Sequence, residues 1–157
     1  MPKVLIIYYS RTGNTEAMAK AVEEGVRSEG LDVQCKAVND VSVNELLEYE
    51  GIAIGSPTYY GTMAGEIKLL LDKSVKYHGK LAGKVGGAFS SSGVLGGGNE
   101  TTVLDILKAL LIHGMIIQGN PMGPHYGPVA IGNPDAGNRN ECFNLGKSVA
   151  QLIKRLA

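Results

Sequence analysis

The sequence predicts an α/β domain in which a five-stranded parallel sheet is covered by helices on both faces. Five short apolar runs alternate along the 157 residues with five segments of helical periodicity. Such alternation is typical of strand–helix–strand units with right-handed crossovers. The length suits one domain over residues 1–157, and no linker or internal repeat divides it.

The first third of the chain predicts two strands around one helix. Lys3 to Tyr9 is a continuous apolar run, as expected of a strand buried on both faces. Ser10 to Asn14 interrupt it, and from Thr15 the apolar residues follow a helical stripe that ends at Gly30. Leu31 to Val38 alternates apolar and polar residues, which indicates a half-exposed strand near a sheet edge.

The middle of the chain predicts two more strands. A short helix is expected at Asn44 to Tyr49, followed by a buried strand at Gly51 to Gly55 that stops at Ser56. A helix then runs from about Ala64 to Val75, and Lys84 to Phe89 is the fourth strand.

The last third predicts a glycine-rich loop, one short strand and two helices. Ser90 to Gly98 is the loop, and Thr101 to Ile112 is strongly helical. Met115 to Gln118 is the fifth strand, Gly119 to Asn138 is loop, and Asn140 to Leu156 is the closing helix. Ligands of such sheets bind at the carboxyl ends of the strands, so the site is expected in the loops after them.

Charge and composition argue against several classes of function. Basic and acidic residues both number 15, so the formal net charge is zero and no nucleic acid partner is expected. The longest apolar stretch, Ala109 to Ile117, is too short to span a bilayer, and no signal-peptide layout opens the chain. We therefore expect a cytoplasmic protein without membrane insertion. Cys35 and Cys142 lie far apart and have no metal-ligand spacing, so no metal site is expected.

The loop after the first strand has the composition of a phosphate-binding site. Its residues are Ser10, Arg11, Thr12, Gly13, Asn14 and Thr15. The backbone N–H groups at a helix start are unpaired and favour an anion, and the hydroxyl groups add donors. The loop lacks both the Walker pattern and GxGxxG, so it fits a monophosphate better than a triphosphate or dinucleotide. The alternative is an ordinary helix cap.

Two further loops supply groups suited to a flat ring. The loop after the third strand carries adjacent tyrosines that can lie against a ring, beside a threonine that can bond its polar edge. The serine and glycine residues of Ser90 to Gly98 offer hydroxyl and amide groups to the same ring. For the first loop, the alternative is that one tyrosine is packed and the other is exposed. For the second, the alternative is a plain surface loop.

His113 ends the fourth predicted helix, directly before Gly114. A histidine at that position can act chemically, or it can simply place a favourable charge at a helix C-terminus.

Taken together, these segments resemble the flavodoxin-like superfamily, and within it the WrbA type of NAD(P)H:quinone oxidoreductase. The resemblance covers nearly the whole chain. It rests on VLIIYYSRTGNTEAMAKAVEEG, GSPTYYGTMAGEIKLLLD, GKLAGKVGGAFSSSGVLGGGNETT and LLIHGMII.

The resemblance implies a three-layer sandwich with strand order 2-1-3-4-5 and one bound FMN. It implies that Ser10 to Thr15 hold the FMN phosphate. The residues that it places beside the ring are Pro57, Thr58, Tyr59, Tyr60 and Gly61. Those that it places along the pyrimidine side are Ser90, Ser91, Ser92, Gly93, Val94 and Leu95. His113 matches a histidine that lies beside the isoalloxazine in that family, at the pocket for NAD(P)H and quinone, and His125 to Gly127 matches a loop near the mouth.

The chain departs from the family pattern at two places. Asp40 to Gly51 is short, and the segment after Asp72 is brief and lacks tryptophan. In the family that segment can supply an aromatic side chain to a neighbouring subunit, in a homodimer or homotetramer.

Two functions follow from the resemblance. One is an enzyme that passes two electrons from NAD(P)H to a quinone or similar acceptor. The other is an electron carrier between protein partners; such carriers tend to be acidic and to shield the ring with an aromatic residue in the fourth-strand loop. The zero net charge and the absence of an aromatic residue from Ser90 to Gly98 favour the enzyme. A module that has lost its cofactor is the weakest alternative, because the phosphate loop is complete.

Overall fold

A computed structural model describes all residues from Met1 to Ala157. Its seven strands are β1 (Lys3–Tyr8), β2 (Asp32–Ala37), β3 (Gly51–Tyr59), β4 (Thr62–Met63), β5 (Val85–Ser92), β6 (Ile116–Ile117) and β7 (Val129–Ile131). Its four α-helices are α1 (Asn14–Ser28), α2 (Gly65–Lys73), α3 (Asn99–Ile112) and α4 (Ala136–Leu156). Three 3₁₀ helices lie at Val38–Asp40, Val43–Glu48 and Ser74–Tyr77.

The strands form one sheet whose parallel core has the order β2-β1-β3-β5. The edge position beyond β5 is shared by two short parallel strands. β6 pairs with Val85 and Gly86 at the start of β5, and β7 pairs with Ser90 to Ser92 at its end. The predicted order 2-1-3-4-5 is therefore confirmed, with its fifth position split by residues 118–128. Val129–Ile131 is strand where the sequence predicts loop, because three apolar residues between Pro128 and Gly132 are too few to show a strand period.

The sheet is buried on both faces, as the apolar run of β1 predicts. Leu5 and Ile7 face a core shared with α2 and α3, and Val4 and Ile6 face a core shared with α1 and α4. The same alternation operates in every central strand and separates the helices into two layers. β2 has only β1 as a neighbour and stays partly exposed, as predicted for an edge strand.

Strands β3 and β5 extend further than predicted, and both extensions carry polar residues of the site. β3 continues through Ser56 and Pro57 to Tyr59. Pro57 is tolerated within it because, beyond Gly55, the strand has a parallel neighbour on one side only. β5 continues through Ser90 to Ser92, all three buried, so the predicted loop begins at Gly93. Serine gives no strand signal, and these serines are stabilised there by side-chain hydrogen bonds.

Two predicted helices also differ in form. The short helix predicted at Asn44 to Tyr49 is the 3₁₀ helix Val43–Glu48, and the helix predicted at Ala64 to Val75 is divided between α2 and the 3₁₀ helix Ser74–Tyr77. No helix of the structure is both long enough and apolar enough to cross a bilayer.

Both cysteines are reduced, and burial raises the pKa of each thiol to about 12. They are therefore protonated at neutral pH and are weak nucleophiles.

Candidate functional site

A groove of about 300 Å³ opens at the carboxyl edge of the sheet, where the three predicted loops meet. The residues that both line the groove and were expected in the site from the sequence are Ser10, Arg11, Thr12, Asn14, Thr15, Pro57, Thr58, Tyr59, Ser91, Ser92 and Gly93. The remaining predicted contacts surround it without lining it. Gly13 precedes α1, Tyr60 and Gly61 form a turn at the rim, Ser90 is buried in β5, and Val94 and Leu95 are exposed.

The start of α1 leaves its first-turn N–H groups without a side-chain acceptor. Gly13 precedes the helix with φ +97°, a conformation that glycine adopts without strain, and no side chain caps the first-turn N–H groups. The hydroxyl of Ser10 instead accepts a hydrogen bond from the N–H of Gly13 (3.1 Å). By contrast, α4 is capped by Asp135, whose carboxylate accepts from the N–H of Asn138. The starts of α2 and α3 also lack a side-chain cap, so what distinguishes α1 is that its uncapped start lines the groove.

Buried hydroxyl groups tie the three segments of the groove together. The Oγ1 of Thr15 lies 2.9 Å from the Oγ of Ser91, which joins α1 to β5. The Oγ1 of Thr58 lies 3.1 Å from the Oγ of Ser90, which joins β3 to β5. These bonds satisfy polar groups that would otherwise be costly to bury.

The tyrosines stand on a tight hairpin between β3 and β4. Tyr59 pairs with Thr62, which leaves Tyr60 and Gly61 as a two-residue turn with φ +48° and +82°, as in a type I′ turn. The ring of Tyr59 packs edge-on against Tyr9, with centroids 6.2 Å apart and planes at 78°, whereas Tyr60 is fully exposed. Burial, followed by the nearby Tyr9, raises the pKa of Tyr59 above its usual value.

Sequence reasoning missed two residues of the site. Gly132, at the end of β7, lines the groove, and it was hidden because β7 itself was not predicted. Thr102 is fully buried in the first turn of α3, where its hydroxyl donates to the carbonyl oxygen of Gly98 (2.8 Å) and lies 3.2 Å from the Oγ1 of Thr58. A threonine within a helical pattern gives no signal of such a role.

The structure does not bring His113 to the groove. It directly follows α3, which begins at the carboxyl edge and runs for 14 residues, about 20 Å, toward the opposite edge. Within one chain His113 therefore lies away from the groove, and its place beside a ring stays a prediction. His125 and Tyr126 also lie elsewhere, in a separate recess against α4.

The side chain of His113 is nearly buried and is held by Ser74. Its Nε2 lies 2.7 Å from the Oγ of Ser74, whose own hydrogen goes to the carbonyl oxygen of Leu71 (2.6 Å). Nε2 is therefore the protonated ring nitrogen, and Nδ1 has no hydrogen-bond partner. Burial, and then the nearby His78, lower the pKa of His113, so the ring is neutral at pH 7. His113 lines a cavity of about 510 Å³ between α2 and α3. This cavity is larger than the groove, but the uncapped start of α1 does not line it.

The chain is similar to proteins of known family. The flavodoxin family model matches residues 6–111. A flavodoxin from Aquifex aeolicus is 39% identical over 98% of this chain and 88% of its own length. Two proteins named NAD(P)H dehydrogenase (quinone) match nearly all of this chain and 100% of their own lengths. The one from Archaeoglobus fulgidus is 33% identical over 99% of this chain, and the one from Sinorhizobium fredii is 38% identical over 100%.

A solved structure shares the whole fold. The WrbA-like flavodoxin of Agrobacterium tumefaciens superposes with a TM-score of 0.84 at 25% identity, with 100% of both chains covered. The predicted resemblance is confirmed by this match together with the family model and the two quinone dehydrogenases. The chain therefore belongs to the flavodoxin family, in a short form of the WrbA type.

Proposed function

We propose that the chain is an FMN-dependent oxidoreductase that transfers two electrons from NAD(P)H to a quinone or a similar acceptor. Membership of the flavodoxin family implies FMN. One structural observation carries the proposal: the uncapped start of α1 and the hydroxyl-lined ends of β3 and β5 face a common groove. That donor set fits a molecule with a phosphate at one end and a flat polar ring at the other.

Each part of the groove has a role in holding FMN. The first-turn N–H groups of α1, with the side chains of Ser10, Thr12 and Thr15, bind the phosphate. Arg11 is the cation among the lining residues and adds charge attraction. The Tyr59 hairpin and the segment from Ser91 to Gly93 would hold the ring, and the amide and hydroxyl groups of that segment are suited to bond its polar edge. Bound FMN supplies the capacity to accept a hydride and to pass on its electrons, while the protein supplies position and electrostatics.

The surroundings of the groove support transfer to a small acceptor. Gly93 to Gly98 carries no aromatic residue that would cover the ring, and its two large apolar side chains, Val94 and Leu95, are 64% and 87% exposed. The formal net charge is zero, so the chain has no acidic excess to attract a basic protein partner. The names of the Archaeoglobus and Sinorhizobium relatives agree with this function.

An electron carrier between proteins is the second candidate, because the Aquifex relative at 39% identity is named a flavodoxin. The two functions differ in turnover. An enzyme oxidises NAD(P)H by itself in the presence of a quinone, whereas a carrier requires a protein donor.

The deciding experiment mixes purified, FMN-loaded protein with NADH or NADPH and benzoquinone and follows nucleotide absorbance. We expect rapid oxidation of at least one nucleotide, and none with apoprotein. Failure to oxidise either nucleotide would exclude the enzyme, and a reductive titration that proceeds in two well-separated one-electron steps would then favour the carrier. A colourless protein that does not take up added FMN would exclude both.

A further inference from the structure

The hairpin that carries Tyr59 and Tyr60 is attached to the first turns of α3 by side chains outside the groove. The hydroxyl of Thr62 donates to Oδ2 of Asp105 across 2.7 Å. The single hydroxyl hydrogen of Thr101 is shared between two carbonyl oxygens, that of Gly61 at 3.2 Å and that of Gly98 at 3.0 Å. Two of the helix's polar side chains therefore contact the two residues that end the hairpin turn.

The backbones of the two elements also touch. Gly98 has φ +105°, and a Cβ added to it would lie 3.0 Å from the Cα of Gly61 and 3.3 Å from its carbonyl oxygen. Such contact leaves the turn no room to move toward α3, and the hydrogen bonds oppose movement away from it. Beyond the β3–β4 pairing, the turn is thus restrained by α3.

The turn itself is under strain. Tyr60 has φ +48° and is the one non-glycine residue of the chain with a positive φ. A side chain in that region raises the energy of the backbone, so neighbouring contacts are needed to maintain the conformation. Tyr60 is fully exposed and contributes no burial of its own, so the conformation is maintained by the pairing of Tyr59 with Thr62 and by the contacts of Gly61 and Thr62 with α3.

We propose that Asp105 and Thr101 are positioning residues that hold the Tyr60–Gly61 turn in place for the flavin, although neither lines the groove. The inference rests on the proposed binding of FMN. Asp105 acts through the hydroxyl of Thr62, and Thr101 acts through the carbonyl group of Gly61. Each residue therefore sets the affinity and the redox potential of a cofactor that it does not touch.

The charge of Asp105 strengthens this attachment. The hydrogen bond from Thr62 is the largest effect and lowers the pKa of the carboxyl group. Burial raises that pKa and the Lys108 ammonium lowers it, and the net result is a pKa below the usual value. The group is ionised at neutral pH, and a hydroxyl bonded to a carboxylate is held more strongly than one bonded to a neutral acceptor. Lys108 lies 3.1 Å from the other carboxylate oxygen, Oδ1, so it can be removed without touching the bond to Thr62.

A double-mutant cycle tests the Asp105–Thr62 contact. Asp105→Ala, Thr62→Val and the double variant are compared for their FMN dissociation constants and for the midpoint potential of the bound flavin. We expect each single variant to weaken FMN about fivefold, as loss of one hydrogen bond implies, and to shift the potential. The double variant is expected to lose no more than either single one, because both remove the same contact.

Matched variants separate this role from a general effect on the helix. Asp105→Asn keeps an acceptor oxygen without the charge and should restore part of the affinity lost in Asp105→Ala. Thr101→Ser should bind FMN more tightly than Thr101→Val, and Lys108→Ala should match the wild type. Thermal unfolding of each apoprotein identifies variants that lose stability. If Asp105→Ala does not fold, the comparison of Thr62→Val with Thr62→Ser decides the question.

Two sets of results would overturn the inference. The first is that Asp105→Ala, Thr62→Val and Thr101→Val keep the wild-type FMN affinity and midpoint potential. The second is that the losses of FMN affinity add in the double variant, or that Asp105→Asn loses as much affinity as Asp105→Ala. Failure of the wild-type chain to bind FMN would instead refute the proposed function, so the two failures are distinguishable.

Discussion

The hydroxyl of Thr15, in the first turn of α1, lies 2.9 Å from that of Ser91, near the end of β5, and both residues are buried. This contact links the proposed phosphate site to the strand that is proposed to hold the ring. The two halves of the groove are therefore coupled through one hydrogen bond between residues 76 positions apart.

Removal of that bond is expected to weaken both the fold and the cofactor site. Thr15→Val keeps the shape of the side chain but leaves the hydroxyl of Ser91 without this partner, which costs about 1–3 kcal/mol when the group is buried. Urea unfolding of the apoprotein and titration with FMN measure the two effects. Thr15→Ser, which keeps the hydroxyl, serves as control, and equal behaviour of the two variants would contradict the prediction.

The packing of α1 on α4 depends on two glycines. A Cβ on Gly146 would lie 2.0 Å from the carbonyl oxygen of Val22, and one on Gly25 would lie 2.0 Å from that of Phe143. Since backbone cannot move aside cheaply, Gly146→Ala is expected to destabilise the protein by about 1–3 kcal/mol. Gly65→Ala is the matched control in α2, where no atom lies within 4 Å. A wild-type melting temperature in Gly146→Ala would show that the helices separate without cost.

His113 is expected to make the stability of the protein depend on pH. Its pKa is lower in the folded chain than the ordinary value of 6.5, so the unfolded chain binds more protons as the pH falls below that value. The free energy of unfolding should therefore decrease on acidification below about pH 6.5. The slope should be smaller in His113→Gln. Identical pH profiles for the variant and the wild type would argue against a buried neutral imidazole.

His113→Ala also tests the role that the family resemblance assigned to this residue. Because the side chain lies at the far end of α3 from the groove, FMN affinity should be unchanged and turnover with quinone should stay within about twofold of the wild type. Stopped-flow oxidation of NAD(P)H measures the second quantity. A large fall in turnover at unchanged FMN affinity would require that His113 reach a flavin held by another copy of the chain, and sedimentation analysis would then show an oligomer.

Sequence patterns predicted the core of the fold well, because the central strands are recognised by apolar runs alone. The KVLIIYY run marks β1 without ambiguity, and the change to helical spacing after Asn14 locates both α1 and the proposed phosphate site. What failed depended on contacts between distant segments. Ser90 to Ser92 form strand because their backbones pair with β3 and β7, and hydroxyl groups of Thr15 and Thr58 bond two of their side chains. No local pattern contains that information.

The position of His113 differs from the family expectation for a different reason. Motif comparison assigned it to the ring, whereas helix geometry requires a residue that ends α3 to lie at the edge opposite the residue that begins it. The direction of a helix between two parallel strands is determined by topology, so the predicted element order alone already places His113 away from the groove of its own chain.

The split edge of the sheet offers a site for engineering. β6 and β7 are each bonded to β5 on their own, and the residues between them fold back on themselves through bonds such as the one from the N–H of Asn120 to the carbonyl oxygen of His125 (3.0 Å). Gly127 is pressed against β5, where a Cβ would lie 2.1 Å from the carbonyl oxygen of Ala88, so the tolerant stretch ends before it. A peptide tag or a second protein grafted at Met122, which is 90% exposed, would leave the register of β7 intact and could serve to tether the flavoprotein to an electrode.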